Sequence, residues 1–298
     1  MSGASAGRAG FRTLRATPPR GPVRLVALDL DGVVWRGPQM LPAAPEALAG
    51  VVRRGLDLRY VSNNSTAHRD VVSDRLQGLG LPAGPERVLT SAFVAGVWLQ
   101  ERVPRGAAVM VLGEEGLLRE LTEAGFSPYY AGDAAPGAPA PAAVVVGMDR
   151  RFTFAGLAAA QYAIARGALF VATNRDATFP TPDREVPGAG AVVAAVTTAA
   201  RREPDVVMGK PELALAAALA RVTGVPAGET LFIGDRLETD IDMAVAAGMI
   251  SAMVLTGIST EADLAEAEAR HGASLPDYVL SDLGSLAGLL DTLPLSPA

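Results

Sequence analysis

The chain has 298 residues, 49% of them hydrophobic, and a formal net charge of −6 at pH 7. That length suits two domains of ordinary size, and the acidic balance argues against nucleic acid or an anionic membrane as partner, leaving small molecules. With no cysteine and two histidines, disulfides, thiolate metal sites and a histidine-rich zinc site drop out, so any metal is expected to be oxygen-bound.

Residues 1–22 carry Arg8, Arg12, Arg15 and Arg20 with no acid and no apolar signal core, which predicts a disordered tail, an organellar transit peptide being the other reading. The next segment, Val23 to Leu28, is a nearly all-apolar strand that ends in Asp29-Leu30-Asp31-Gly32. Such a strand is buried on both faces, as in a parallel sheet. Asp29 and Asp31 leave it on one side, where like charges repel unless a cation or a shared proton holds them. A hard divalent cation is the simplest resolution, and Gly32 lets the backbone turn.

A helix over Pro45–Arg54 leads to a second apolar strand, Leu56–Val61, which ends in Ser62-Asn63-Asn64-Ser65-Thr66. Helices are expected over 67–79 and 91–102 and a strand over 107–112. The Pro/Ala/Gly stretch 134–142 reads as a loop before a strand over 143–147, followed by a helix over 154–166 and a strand over 168–173. Segment 174–190, with Pro180, Pro182 and Pro187, is expected to be mostly loop, and long loops are usually functional. Val206–Met208 then ends at Gly209-Lys210-Pro211, a helix covers 212–222, and Thr230–Ile233 ends at Gly234-Asp235. The longest uncharged stretch, Met243 to Thr260, is interrupted by Gly248 and Gly257 and reads as helix end, strand and loop, not as a membrane span. A soluble, cytoplasmic protein is therefore expected.

This alternation is α/β grammar. Open parallel sheets bind ligands beyond the carboxyl ends of their strands, so Asp29, Ser62, Lys210 and Asp235 are expected to converge. Hydrolysis of a phosphate ester through a covalent intermediate needs a carboxylate nucleophile, an acid for the leaving oxygen, a cation, and donors for the phosphoryl oxygens. Either Asp29 or Asp31 can attack while the other donates a proton. Asp235 offers a further oxygen ligand, and Ser62, Asn63 and Lys210 offer donors. Asp240 is placed to hold Lys210 or to cap the following helix.

Taken in order, Asp29-Leu30-Asp31-Gly32-Val33, Ser62-Asn63, Lys210-Pro211 and Gly234-Asp235 to Thr239-Asp240 resemble the four motifs of haloacid dehalogenase superfamily hydrolases, over about residues 23 to 285. The resemblance implies a Rossmann-like parallel-sheet core over 23–103 and 196–298, with a second α/β cap domain over 104–195 inserted between the second and third motifs. That cap placement is similar to subclass IIA, the branch of 4-nitrophenylphosphatase-, phosphoglycolate phosphatase- and NagD-like enzymes. By the same resemblance Asp29 is the nucleophile that forms an aspartyl-phosphate, and Asp31 is general acid and then base. Mg2+ is held by Asp29, the backbone carbonyl of Asp31, and Asp235. Gly32, Ser62, Asn63, Asn64 and Lys210 face the phosphate, Asp240 orients Lys210 or a metal-bound water, and Asn174 and Asp176 of the cap loop face the leaving group. The implied substrate is a small phosphorylated metabolite of the sugar phosphate, nucleotide, phosphoglycolate, glycerol phosphate or pyridoxal phosphate type, with the cap as the place where a homodimer would form. One residue departs from the branch pattern, Ser62 where threonine is common, and both carry the hydroxyl.

Other classes fit less well. A dehalogenase needs no acid for a halide, so Asp31 favours phosphate esters. A phospho-acceptor or phosphate-binding protein without turnover shares the acidic cluster, but a small receiver domain has no place for the insertion. Val33 occupies a ligand position in an EF-hand reading, and no strand is followed by the glycine pattern of a dinucleotide site.

Overall fold

The computed structural model describes residues 10–15, 21–134, 138–181 and 183–296. They form two compact units, one built from the chain up to Val61, Ser73–Val88 and the part from Leu219 onward, the other from Ser62–Val72 and Leu89–Ala218.

The first unit carries a seven-stranded sheet in the order Phe11–Thr13, Tyr278–Leu280, Ile250–Val254, Thr230–Gly234, Leu25–Leu28, Asp57–Ser62, Val88–Thr90. Leu25–Leu28 is parallel to both of its neighbours, and all four of its residues are buried. This is what an uninterrupted apolar run dictates in a sheet covered on both faces, each large side chain contributing about 1.5–3 kcal/mol by burial. Leu28 lies opposite Ile233 on one side and Tyr60 on the other. Asp29 and Gly234-Asp235 therefore step off the same edge of the sheet. Helix Ala44–Arg53 begins with a proline in its first turn and carries Glu46 near its start and Arg53 at its end, charges that complement the helix dipole.

At the far edge Phe11–Thr13 pairs antiparallel with Tyr278–Leu280, which corrects the expectation of a tail for these residues. The Phe11 ring packs edge-on against Tyr278, with centroids 6.4 Å apart. Three residues are too few to show a period in sequence. Residues 1–9 and 16–20 of the expected tail lie outside the described residues.

The second unit is an α/β domain with a five-stranded parallel sheet in the order Val206–Val207, Leu169–Ala172, Ala143–Val146, Ala108–Leu112, Ser127–Tyr130. Its core is built mainly of small and β-branched residues, with Val144, Val146, Val193 and Val196 buried together with Phe170. Val207, Ala172, Val146 and Leu112 align across the sheet. Lys210, Asn174 and Gly147 thus follow strands that end at one edge. Helix Ala189–Ala200 and strand Val206–Val207 carry the unit past residue 195, where the sequence placed the end of the insertion. Segment 174–190 contains an antiparallel hairpin, Thr178–Pro180 with Glu185–Pro187, where mostly loop was expected; a two-stranded ribbon has only edge strands, and those tolerate proline. Among the described residues no helix is long and apolar enough to cross a membrane.

Candidate active site

In the first unit the strand-end carboxylates come together. Oxygens of Asp29, Asp235 and Asp240 all lie within 4.8 Å of one another. Two such charges 4 Å apart repel by about 4 kcal/mol at an effective dielectric constant near 20, so the arrangement calls for compensation. Part of it comes from the backbone. Asp240 Oδ2 accepts from the N–H groups of Asp235 and Arg236, each at 3.1 Å, and Asp235 Oδ2 accepts from Ile258 N at 2.7 Å.

Glycines make this approach possible. A Cβ on Gly257 would lie 1.9 Å from Asp235 Oδ2, one on Gly32 2.4 Å from the same oxygen, and one on Gly234 2.1 Å from Asp240 Cβ. Gly32 also has φ +80°, a left-handed conformation that favours glycine. Its N–H donates to Trp35 O at 2.7 Å, and its carbonyl accepts from Thr256 Oγ1 at 2.6 Å. These bonds commit both backbone groups of Gly32 to shaping the loop rather than to the phosphate expected from sequence.

The expected metal set was the Asp29 and Asp235 carboxylates with the backbone carbonyl of Asp31. The structure clusters Asp29, Asp235 and Asp240, while the Asp31 side chain is exposed and accepts from Trp35 Nε1 at 2.9 Å. Asp240 is 1% exposed and both braces the Asp235 loop and faces the cluster. An all-carboxylate donor set, held in a cradle that a single methyl group would fill, suits a hard divalent cation such as Mg2+.

The second unit assembles the donors. Asn63 grips the Lys210 backbone on both sides of its Cα, with Oδ1 accepting from Lys210 N at 2.8 Å and Nδ2 donating to Lys210 O at 3.0 Å. The same Nδ2 lies 3.2 Å from both carboxylate oxygens of Asp176. Asn174 donates from Nδ2 to Asn63 O at 2.7 Å and accepts from Asp176 N at 3.0 Å, and Ser91 Oγ donates to Asn63 O at 2.7 Å. Lys210 itself is 5% exposed. Asn63 thereby fixes the Lys210 backbone. Asn174, 4% exposed, makes both of these bonds, to Asn63 and Asp176, inside the fold, as a buried amide must. Asp176 is drawn into the same framework by Asn63. Asn64 is used for a turn, its Oδ1 accepting from Thr66 N at 2.7 Å and Thr66 Oγ1 at 2.8 Å. Ser62 Oγ accepts from Asn64 N at 3.1 Å.

A second group of potential ligands, His68, Glu120 and Glu123, has a different chemistry. Asp70 N donates to His68 Nδ1 at 3.2 Å, so in the neutral ring the proton sits on Nε2, which lies 3.5 Å from Glu120 and 3.2 Å from Glu123. The ring thus turns N–H toward the carboxylates, where a metal would need a lone pair. Arg69 and Arg119 supply the positive charge instead. Burial pushes the Glu120 carboxyl up, against Arg69 and His68. For Glu123 the burial effect is outweighed by His68, Arg69 and Arg119, which hold it below its ordinary value.

Comparison with known proteins agrees with this geometry. A family model for haloacid dehalogenase-like hydrolases matches residues 26–127, and a second, HAD-hydrolase-like model matches residues 207–286. Glycerol-3-phosphate phosphatase of Gallus gallus is 37% identical over 290 residues, covering 90% of this chain and 92% of the relative. Among solved structures, p-nitrophenyl phosphatase from Archaeoglobus fulgidus superposes with a TM-score of 0.81 at 30% identity, covering 90% of this chain and 100% of that one. Glycerol phosphate phosphatase from Mycobacterium tuberculosis in complex with magnesium gives 0.79 at 36% identity, covering 93% and 80%. The chain belongs to the haloacid dehalogenase-like hydrolase family. Within it the chain is a phosphomonoester hydrolase of the NagD-like, cap-bearing branch.

Proposed function

We propose that the chain hydrolyses small phosphomonoesters in two steps centred on Asp29. The observation that carries this reading is the carboxylate cluster at the end of a buried parallel strand, with Asp31 two residues further along the chain. In the first step an Asp29 oxygen attacks phosphorus while Asp31 gives a proton to the departing oxygen. In the second, water attacks the aspartyl-phosphate while Asp31 takes a proton from it. The Ser62 hydroxyl and the Lys210 ammonium hold the phosphoryl oxygens, Lys210 being positioned by Asn63. Mg2+, when bound, supplies positive charge that offsets the developing negative charge on the phosphoryl group. Asp29, Asp235 and the Asp31 carbonyl would hold it, with Asp240 bracing Asp235.

The second unit contains a cavity of about 400 Å³ whose lining includes Met148, Arg150, Phe152, Val186 and Pro187. The second unit, which carries Asn174 and Asp176, acts as the cap that selects the leaving group. Two of the relatives compared are named for glycerol phosphate, which makes a polyol phosphate the first substrate to try. Phe154 and Tyr162, exposed on helix Phe154–Ala165, support a homodimer through the cap, which light scattering would test.

The test is phosphate release from a panel of phosphomonoesters, with Mg2+ and with excess chelator, beside Asp29→Asn. Turnover with Mg2+ alone, lost in Asp29→Asn, is expected. Wild-type turnover in chelator, or in Asp29→Asn freed of contaminating phosphatase, would overturn the reading.

A further inference from the structure

Asp31 is an exposed side chain in a loop, free by itself to sample several rotamers, yet proton transfer needs one orientation. The loop supplies it. The N–H groups of Val34 and Trp35 both donate to Leu30 O, at 2.8 and 3.1 Å, and these turns fold Trp35 back so that its Nε1 donates to Asp31 Oδ1 at 2.9 Å. Trp35 is itself held firmly. It is 3% exposed, its strand pairs with Gln39–Met40, and the Arg75 guanidinium lies 3.9 Å from its ring centroid while donating to Gly37 O.

An indole nitrogen is a donor only. Asp31 Oδ1 must therefore offer it a lone pair, and a proton carried by this carboxyl resides on Oδ2. A cation over the ring face draws electron density from the indole and strengthens its N–H as a donor. We infer that Trp35, backed by Arg75, is a positioning residue that assigns the transferred proton to Asp31 Oδ2. When the ester bond breaks, the Oδ2–H bond breaks too and its proton joins the leaving oxygen. In the second step Oδ2 takes one proton from the attacking water. This inference rests on the phosphatase reading above.

The test compares Trp35→Phe with wild type on phenyl phosphate and 4-nitrophenyl phosphate, esters of similar shape whose leaving groups differ in their need for an acid. A hydrogen bond to a charged group corresponds to a loss of about tenfold or more when removed. The expected result is such a fall in kcat/KM on phenyl phosphate, a fall of threefold or less on the nitrophenyl ester, and no further loss when the substitution is added to Asp31→Asn. Because both esters are measured on one preparation, incomplete folding cancels from the ratio. Arg75→Met should show the same ester selectivity in smaller measure. Equal losses on both esters, or a full additional loss in the Asp31→Asn background, would overturn the inference and leave the phosphatase reading untouched. Asp29→Asn retaining turnover would overturn that reading instead.

Discussion

Replacing Gly257 with alanine places a methyl carbon 1.9 Å from Asp235 Oδ2, too close for the carboxylate to stay where it is. Groups that orient metal ligands typically matter by ten- to a hundredfold in metal affinity. Gly257→Ala should therefore raise the Mg2+ concentration for half-maximal activity by about tenfold or more, measured by titration of phosphate release. Asp31→Asn should slow transfer from an alkyl phosphate by about a hundredfold to ten-thousandfold, and far less from 4-nitrophenyl phosphate. Asp29, Asp31, Lys210 and Asp235 were legible in the sequence because each follows an apolar strand, a local pattern. Gly257 and Trp35 were not. Gly257 acts by close approach to a carboxylate on another loop, and Trp35 by a hydrogen bond whose geometry exists only once the turn after Leu30 has closed. Asn174 and Asp176 were visible as a polar strand end, but the sequence did not reveal the bonds that Asn63 makes with both.

At the scale of elements, the loop that follows strand Asp57–Ser62 is fastened by side chains from distant strands and helices. Asn63→Ala removes both bonds to the Lys210 backbone and should raise KM more than it lowers kcat, since Lys210 is proposed to bind the phosphate. A fall confined to kcat would contradict that role. Farther along, Glu120 Oε1 accepts from Arg69 N at 3.0 Å and ties the start of helix Arg69–Gly78 to helix Glu115–Glu123. Burial holds the Glu120 carboxyl above its ordinary value. A carboxyl raised on folding stabilises the folded state below its unfolded pKa, and that contribution is lost as pH rises through the folded pKa. Glu120→Gln should flatten this part of the profile, which thermal melts taken from about pH 4 upward would record; an unchanged pH dependence would argue against the cause. The sequence carries no sign of this pairing, because its partners lie in separate helices. It did locate the strands Leu25–Leu28 and Thr230–Gly234, whose apolar runs are long enough to identify.

At the scale of the molecule, the α/β alternation and the insertion between Ser62 and Lys210 were legible in advance, because strand and helix periodicities and the order of polar strand ends are properties of the chain alone. The extent of the second unit was not, since helix Ala189–Ala200 and strand Val206–Val207 carry no mark in sequence of the sheet they join. An all-oxygen site predicts activity with Mg2+, partial activity with Mn2+ or Co2+, and suppression by Ca2+, whose looser and higher coordination disturbs the placement of the attacking oxygen. Full turnover in excess chelator would contradict this. The central claim is a phosphoryl group carried on Asp29, and it can be observed directly. Enzyme quenched in acid during turnover is treated with borohydride, which reduces an aspartyl-phosphate to homoserine, and the peptides are mapped by mass spectrometry. The account predicts homoserine at position 29 and aspartate at position 31, with no conversion when Mg2+ or substrate is omitted; conversion at another residue, or none under conditions of steady turnover, would contradict it.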